Sequence, residues 1–226
     1  MTIAFEERKS DSPYVQTVTR GRTLSDGAPT RPAEIHWHMV FSRRQGRMVP
    51  LLVGPWTASG LTQYEADADL LWIRLKLGAY MPHLPTRTFR NSETALPDAS
   101  SRAFWLHGSA WEFPDFENAD TFIDHLMRDG ALAFDPVVSA ALRDQPPEMS
   151  ARTMRHRFLH VTGHSQAHIR QYERAQQAAA LLAQGASILD TIHEAGYYDQ
   201  PHLTRSLKQF AGYTPAQYQT HISASE

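Results

Sequence analysis

The side chains best suited to chemistry lie in the last third of the chain, on two short runs whose polar residues share one face. In Gln200–Phe210, Leu203, Leu207 and Phe210 form an apolar stripe, and Gln200, His202, Arg205, Ser206 and Lys208 occupy the opposite face. In Ser150–Gly163, Met154 and Phe158 point inward while Arg152, Arg155, His156 and Arg157 project outward. Arginine and glutamine on an exposed helix match the acceptor and donor pairs on guanine and adenine edges in a DNA major groove, and lysine suits a phosphate. A different chemistry is open to His36-Trp37-His38. Two histidines at i and i+2 share a strand face and can share one metal ion, with His83 or His107 as a further ligand. That reading lacks a carboxylate at metal-site spacing, and if Trp37 faces a core, His36 and His38 face solvent or a partner.

Composition removes several function classes. The chain has no cysteine, which excludes disulfides, thiolate zinc sites, cysteine nucleophiles and alkyl-accepting DNA repair on a thiolate. Its net charge of −2 does not mark a nucleic-acid binder. The charge is uneven, however. From Ser150 onward Arg152, Arg155, Arg157, Arg170, Arg174, Arg205 and Lys208 outnumber Glu173, Asp190, Glu194, Asp199 and Glu226, and seven of the 12 histidines lie there too. No apolar run approaches the roughly 20 residues that span a bilayer, and the polar start MTIAFEERKSDS has no signal-peptide order. A cytoplasmic protein with no membrane partner is expected, catalysing no reaction and needing no cofactor.

The elements that must hold these residues fall into two classes, giving an α+β chain. Residues 1–31 read as a polar, loosely held arm with one short strand at Tyr14–Val18. Residues 32–115 read as a β-sandwich or barrel, cupin-like, that senses or dimerises. In EIHWHMVF, Ile35, Trp37, Met39 and Phe41 alternate with His36, His38 and Val40, Arg43-Arg44-Gln45-Gly46 turns the chain into Met48–Val53, and Leu70–Leu77 alternates again. Trp56, Trp72, Trp105 and Trp111 are expected to line the core or an effector pocket. Residues 116–133 read as a helical connector with Asp120 as cap and Gly130 as stop. Residues 134–226 read as five or six helices, opened by Asp135-Pro136 and punctuated by Gly163, Gly185, Gly196 and Gly212. Within them Ser187–Arg205 is a helix, a Gly-Tyr-Tyr-Asp turn and a second helix, which is a helix-turn-helix arrangement. A linking helix over Ser165–Ala183 would span about 27 Å, enough to bring two reading helices to major-groove faces about 34 Å apart. Pro146-Pro147 predicts a longer, irregular turn before Ser150.

Ser150…Arg157-Phe158, Gly163-His164-Ser165, Arg174, Leu181-Leu182 with Gly185, Ser187-Ile188, Gly196-Tyr197, Leu203-Thr204-Arg205 and Gly212-Tyr213-Thr214-Pro215 with Tyr218 occur in order over about 70 residues. This run resembles the DNA-binding domain of the AraC/XylS family of transcription regulators. The resemblance implies that Arg152, Arg155 and His156 face bases from a first recognition helix, and Gln200, Pro201, His202 and Arg205 from a second. His156 stands where that family usually has Arg, and Ile192 where it usually has Ala. LLVGPWTASG, LGAYMPHLPTRTFRNSETALP and FENADTFIDHL resemble the β-rich N-terminal domain of one subgroup. The function so implied is sequence-specific binding of double-stranded DNA by a transcription regulator that responds to a small effector through its N-terminal domain, with a homodimer left open. The alternative is a metal-binding cupin-type enzyme fused to a DNA-binding domain.

Overall fold

Alternating apolar and polar residues build most of a six-stranded antiparallel sheet. A computed structural model describes residues 3–143, 145 and 148–223. The first stretch comprises strands β1 (Ile3–Lys9), β2 (Val15–Thr23), β3 (Thr30–Arg31), β4 (His38–Arg44), β5 (Arg47–Val53), β6 (Gly60–Leu61), β7 (Asp69–Leu75) and β8 (Ala79–Tyr80). Helix α1 (Thr86–Phe89), strands β9 (Glu93–Ala95), β10 (Asp98–Ser100), β11 (Ala103–Leu106) and β12 (Ser109–Glu112), helix α2 (Ala119–Arg128) and β13 (Ala133–Phe134) follow. The main sheet runs β1-β2-β7-β4-β5-β9. Gln45 and Gly46 both take positive φ in the two-residue link between β4 and β5, the geometry that suits the right-handed twist of a hairpin.

One face of this sheet carries Val18, Met39, Phe41, Leu52, Leu71 and Ile73, and Phe104, Phe122, Ile123 and Leu126 close over it in a single core. Phe41 meets the rings of Phe104 and Phe122 at 5.6 and 5.9 Å, spacings that favour tilted and edge-on contact between aromatic quadrupoles. Two expectations are corrected here. The segment read as a loose arm supplies β1 and β2, and β2 is an interior strand with Val15 and Val18 fully buried. A bulge between Val15 and Thr17 shifts its phase, so the two valines stand three apart and the period-2 signal is lost. The segment read as a connector contains α2, whose apolar face belongs to the sheet's own core. Asp120 does not cap α2; it binds Arg8 at 2.7 Å and Ser10 at 2.5 Å, tying the helix to β1.

The last part of the chain is helical: α3 (Pro136–Leu142), α4 (Ala151–Thr162), α5 (Gln166–Ala183), α6 (Ile188–Glu194), α7 (Gln200–Phe210) and α8 (Pro215–Ser223). Helix α5 runs through two cores. Ile169, Tyr172 and Ala175 pack with Phe158, Val161 and Phe210, whereas Ala178, Ala179 and Leu182 pack with Ile192, Tyr197, Leu203 and Leu207. The first of these cores also contains Ala33 and Ile35. The alternation of Ile35, Trp37, Met39 and Phe41 is therefore buried throughout but divided: Ile35 serves the helices and the other three serve the sheet.

This sharing gives a stability prediction. Removing residues 1–133 uncovers the apolar surface that Ala33 and Ile35 protect, and burying an Ile side chain is worth about 1.5–3 kcal/mol. A fragment of residues 134–226 is expected to lose helical ellipticity at a lower temperature than the same helices in the full chain. Equal midpoints for the two would show that the shared core contributes nothing.

Candidate nucleic-acid interface

The second helix-turn-helix is defined by its caps. Ser187 and Asp199 precede α6 and α7 and accept from the backbone N–H groups of Asp190 and His202, satisfying donors that a helix start leaves free. Between the helices Gly196 has φ +67°, Tyr197 N–H donates to Ile192 O at 2.8 Å, and Gly196 N–H donates to His193 O at 3.3 Å. This pair of bonds closes α6 and requires a left-handed residue at Gly196. Tyr197 is buried in the angle between the helices; its hydroxyl meets Ser206 Oγ at 2.8 Å, the His202 ring lies 5.0 Å away edge-on, and Arg174 of α5 lies over its ring.

Gln200, Pro201, Arg205 and Lys208 are exposed on α7, and His202 is half-buried against Tyr197. Ser206, read from sequence as free, is engaged by Tyr197. Tyr198, in the turn, is 90% exposed and was not singled out by residue type.

The first helix-turn-helix pairs α3 with α4. Asp135 accepts from the N–H groups of Val137 and Val138, and its second oxygen binds Arg157 Nε at 2.5 Å. Arg157 therefore faces α3, which corrects its reading as an outward residue and makes it the tie between the two helices. Arg152, Arg155 and His156 are exposed on α4, and Ser150 caps that helix at Thr153 N–H. The chain from Arg143 to Ser150 is longer than the Ala195–Asp199 link of the second motif; Pro146 and Pro147 lie outside the described residues. Both sets of expected reading residues thus begin in the N-terminal halves of α4 and α7, with α5 between the helices.

Behind α4 and α5 lies a polar joint that sequence reading missed in part. Glu34 is buried, with His36 Nδ1 at 2.5 Å, Arg74 Nη2 at 2.8 Å and His38 Nε2 at 3.4 Å, the last outside hydrogen-bond geometry. Burial alone would raise its carboxyl; the hydrogen bond to His36 and the proximity of both histidines outweigh this and hold it well below the usual range. Burial lowers His38 despite Glu34 beside it. Burial raises the Tyr172 phenol of α5 far above its ordinary value, with Glu34 adding to the rise. Glu34 shares strand parity with His36 and His38, which was the available signal. The two histidines face this joint rather than solvent. His83 and His107 stack on each other at 4.3 Å. Among the described residues no group of three His, Asp or Glu side chains is arranged to hold a metal ion.

The family described as a helix-turn-helix domain matches residues 148–221. That span runs from just before α4 into α8. The match supports an AraC-type DNA-binding domain there and, with it, a DNA-binding transcription regulator. No curated protein and no solved structure matches the chain. No described helix is long and apolar enough to cross a membrane.

The joint also predicts a pH response. His164 and His168 stack in parallel at 4.7 Å, and each has a buried Nε2 with no partner. Burial, then His168, Arg90 and His36, push His164 down to about 3; burial and Arg90 lower His168. Between the unfolded value near 6.5 and this folded value, the unfolded chain binds a proton that the native state refuses, so stability is full above pH about 6.5 and falls as pH falls toward 3. One such group contributes a slope of about 1.4 kcal/mol per pH unit within the window. Unfolding midpoints measured from pH 7 to 4 should drop, and His164→Phe should make the drop shallower. Identical slopes for the two proteins would remove His164 from the account.

Proposed function

We propose that the protein is a sequence-specific transcription regulator that reads duplex DNA through α4 and α7. The observation that carries this reading is the double occurrence of one arrangement, a capped helix with exposed Arg and polar side chains in its N-terminal half, packed on a shorter helix. Arg152, Arg155 and His156 read one half-site; Gln200, Pro201, His202 and Arg205 read the other, and Lys208 meets a phosphate. Arg155 and Arg205 suit guanine, whose paired acceptors accept two donors from one guanidinium. The tilt of His202 against Tyr197 ties its ring to the turn. The function is one of binding, with no catalytic step.

The β-rich region receives a small effector in this reading. An open cleft of about 600 Å³ lies beside β1, β2 and β7, lined among others by Phe5, Leu70, Phe116, Arg20, Arg22 and Arg43. Its size falls within the range of small-molecule sites, and its lining, apolar side chains with three arginines and the carboxylates of Glu6, Asp69 and Asp115, suits an amphipathic effector. Arg20 and Arg22 have carboxylate partners, whereas Arg43 makes no ion pair among the described residues. A second copy of the chain is the proposed partner, and the outer side of β1, an edge strand, has backbone groups open to pairing.

Selection from a random duplex pool tests the reading. Arg205→Ala should flatten base preference at one or two positions, because a bidentate Arg–guanine pair is worth about 1–3 kcal/mol of discrimination. Lys208→Ala should weaken all sequences alike and reduce the salt slope by about one contact. Positions lost with Arg155→Ala should lie roughly 10 base pairs from those lost with Arg205→Ala. If the wild-type chain selects no duplex, the assignment fails; if both arginine variants weaken every sequence equally, the helices anchor without reading.

A further inference from the structure

Both reading helices are held at their C-terminal ends, and by the same part of the molecule. A helix leaves its last four carbonyls without partners of its own. In α7 all are accounted for. Leu207 O accepts from Ala211 and Gly212 N–H, Lys208 O from Ser59 Oγ at 2.9 Å, Gln209 O from Ser59 N–H at 2.7 Å, and Phe210 O from Ala33 N–H at 2.7 Å. Three of the four are thus capped by the β-rich region. At the end of α4, Gly163 takes φ +73° and its carbonyl accepts from Arg90 Nη1 at 3.3 Å. A Cβ at Gly163 would stand 3.1 Å from Thr86 Cγ2, so the α1 segment abuts that end.

The residues that grip the two helices form one continuous platform. Glu34 and Trp56 exchange backbone hydrogen bonds, and β3 pairs with β6 on the same side. Asn91 N–H donates to Pro55 O at 2.8 Å, and Asn91 Oδ1 accepts from Thr57 N–H at 2.7 Å and Thr57 Oγ1 at 3.0 Å. Gly54 N–H donates to Ser92 O at 3.0 Å. Ser59 and Arg90 are therefore connected by hydrogen-bonded backbone rather than by separate loops. The grip leaves the N-terminal halves of α4 and α7 uncovered, so it is compatible with bound DNA.

We infer that the β-rich region is a bracket that fixes the separation and mutual rotation of α4 and α7, with Ser59 and Arg90 as positioning residues, and so sets the spacing between the two half-sites. The inference rests on the DNA reading proposed above. Without the bracket the two helices are coupled through α5 and the core that Phe158 and Val161 of α4 share with Phe210 of α7, with no hydrogen bonds from the β-rich region to hold their C-terminal ends. A one-base-pair change of spacer moves a half-site by about 3.4 Å and turns it by about a tenth of a turn, which a rigid pair of helices cannot follow.

The experiment is a selection with the full chain on duplexes whose half-sites are separated by spacers of different lengths. Wild-type protein is expected to favour one spacer over those one base pair longer or shorter by roughly tenfold, the scale of a mismatched base pair. Ser59→Pro with Arg90→Ala removes two of the three caps on α7 and the Arg90 bond to α4, leaving Ala33 N–H on Phe210 O, and the preference should fall to about twofold or less while base preference within each half-site persists. A second route wedges the joint from the helical side. A Cβ at Gly212 would lie 2.3 Å from Thr30 Cγ2, so Gly212→Ala should also relax spacing, and adding Thr30→Ser, which deletes that methyl, should restore it. The rescue separates the joint from the strain of Ala at φ +87°, which both variants share. Should the double variant fail to fold by circular dichroism, the Gly212 pair decides. Unchanged spacer preference in folded variants, or Gly212→Ala without rescue, overturns the inference. Wild-type protein that reads both half-sites at every spacer also overturns it while leaving the DNA reading intact; wild-type protein that binds no duplex brings down that reading instead.

Discussion

A helix that ends against another part of the chain needs donors for its last carbonyls, and in this protein α7 finds them on Ser59 and Ala33. A hydrogen bond of this kind contributes about 0.5–1.5 kcal/mol net, against a total stability of about 5–15 kcal/mol for a typical protein of this kind. Three at one joint tie the end of α7 to the β-rich region. The shared apolar core points the same way, since Ala33 and Ile35 precede β4 yet pack on Phe158, Ile169 and Phe210. A boundary drawn at residue 134 by change of composition cuts across that core.

The polar part of the joint adds selectivity rather than raw stability. Glu34 surrounded by His36, Arg74 and His38 is a buried charge whose cost is offset only in one arrangement, because sliding by a single residue would separate the carboxylate from its partners. An apolar joint of the same area would tolerate sliding. The unpartnered Nε2 atoms of His164 and His168 beneath Arg90 work in the opposite sense, being acceptable only while the rings stay neutral. The interface is therefore fixed in register by one polar cluster and made acid-sensitive by the other.

Much of this was legible in the sequence where local chemistry decides structure. Ser150, Ser165, Ser187 and Asp199 cap helices as their types and positions imply, and Gly196 turns where only a left-handed residue serves. The exposed placement of Arg152, Arg155, His156, Gln200, Pro201, Arg205 and Lys208 follows from the phase set by Phe158, Leu203 and Leu207. What stayed hidden depends on contacts distant in sequence. The bulge in β2 erased its alternation, Arg157 was drawn inward by Asp135 22 positions earlier, and the roles of Ser59 and Arg90 arise from loops with no period at all. Glu34 was missed for another reason: its spacing to His36 and His38 was visible, but the helical surface that buries all three was not.

The arrangement also explains how a chain of net charge −2 can present itself to a polyanion. The aligned peptide dipoles of a helix place partial positive charge at its N-terminus and partial negative charge at its C-terminus. Arg152 and Arg155 in the exposed N-terminal half of α4 reinforce its positive end where phosphates would approach, while α7 presents the neutral Gln200 beside its Asp199 cap. The negative ends are turned toward the bracket, where N–H groups of Ala33 and Ser59, the Ser59 hydroxyl and the Arg90 guanidinium meet them. The same donors that complete the fold thus neutralise the ends of the helices that would repel DNA, and the acidity of the rest of the chain acts on the approach of DNA only through a field that salt screens within about 8–10 Å.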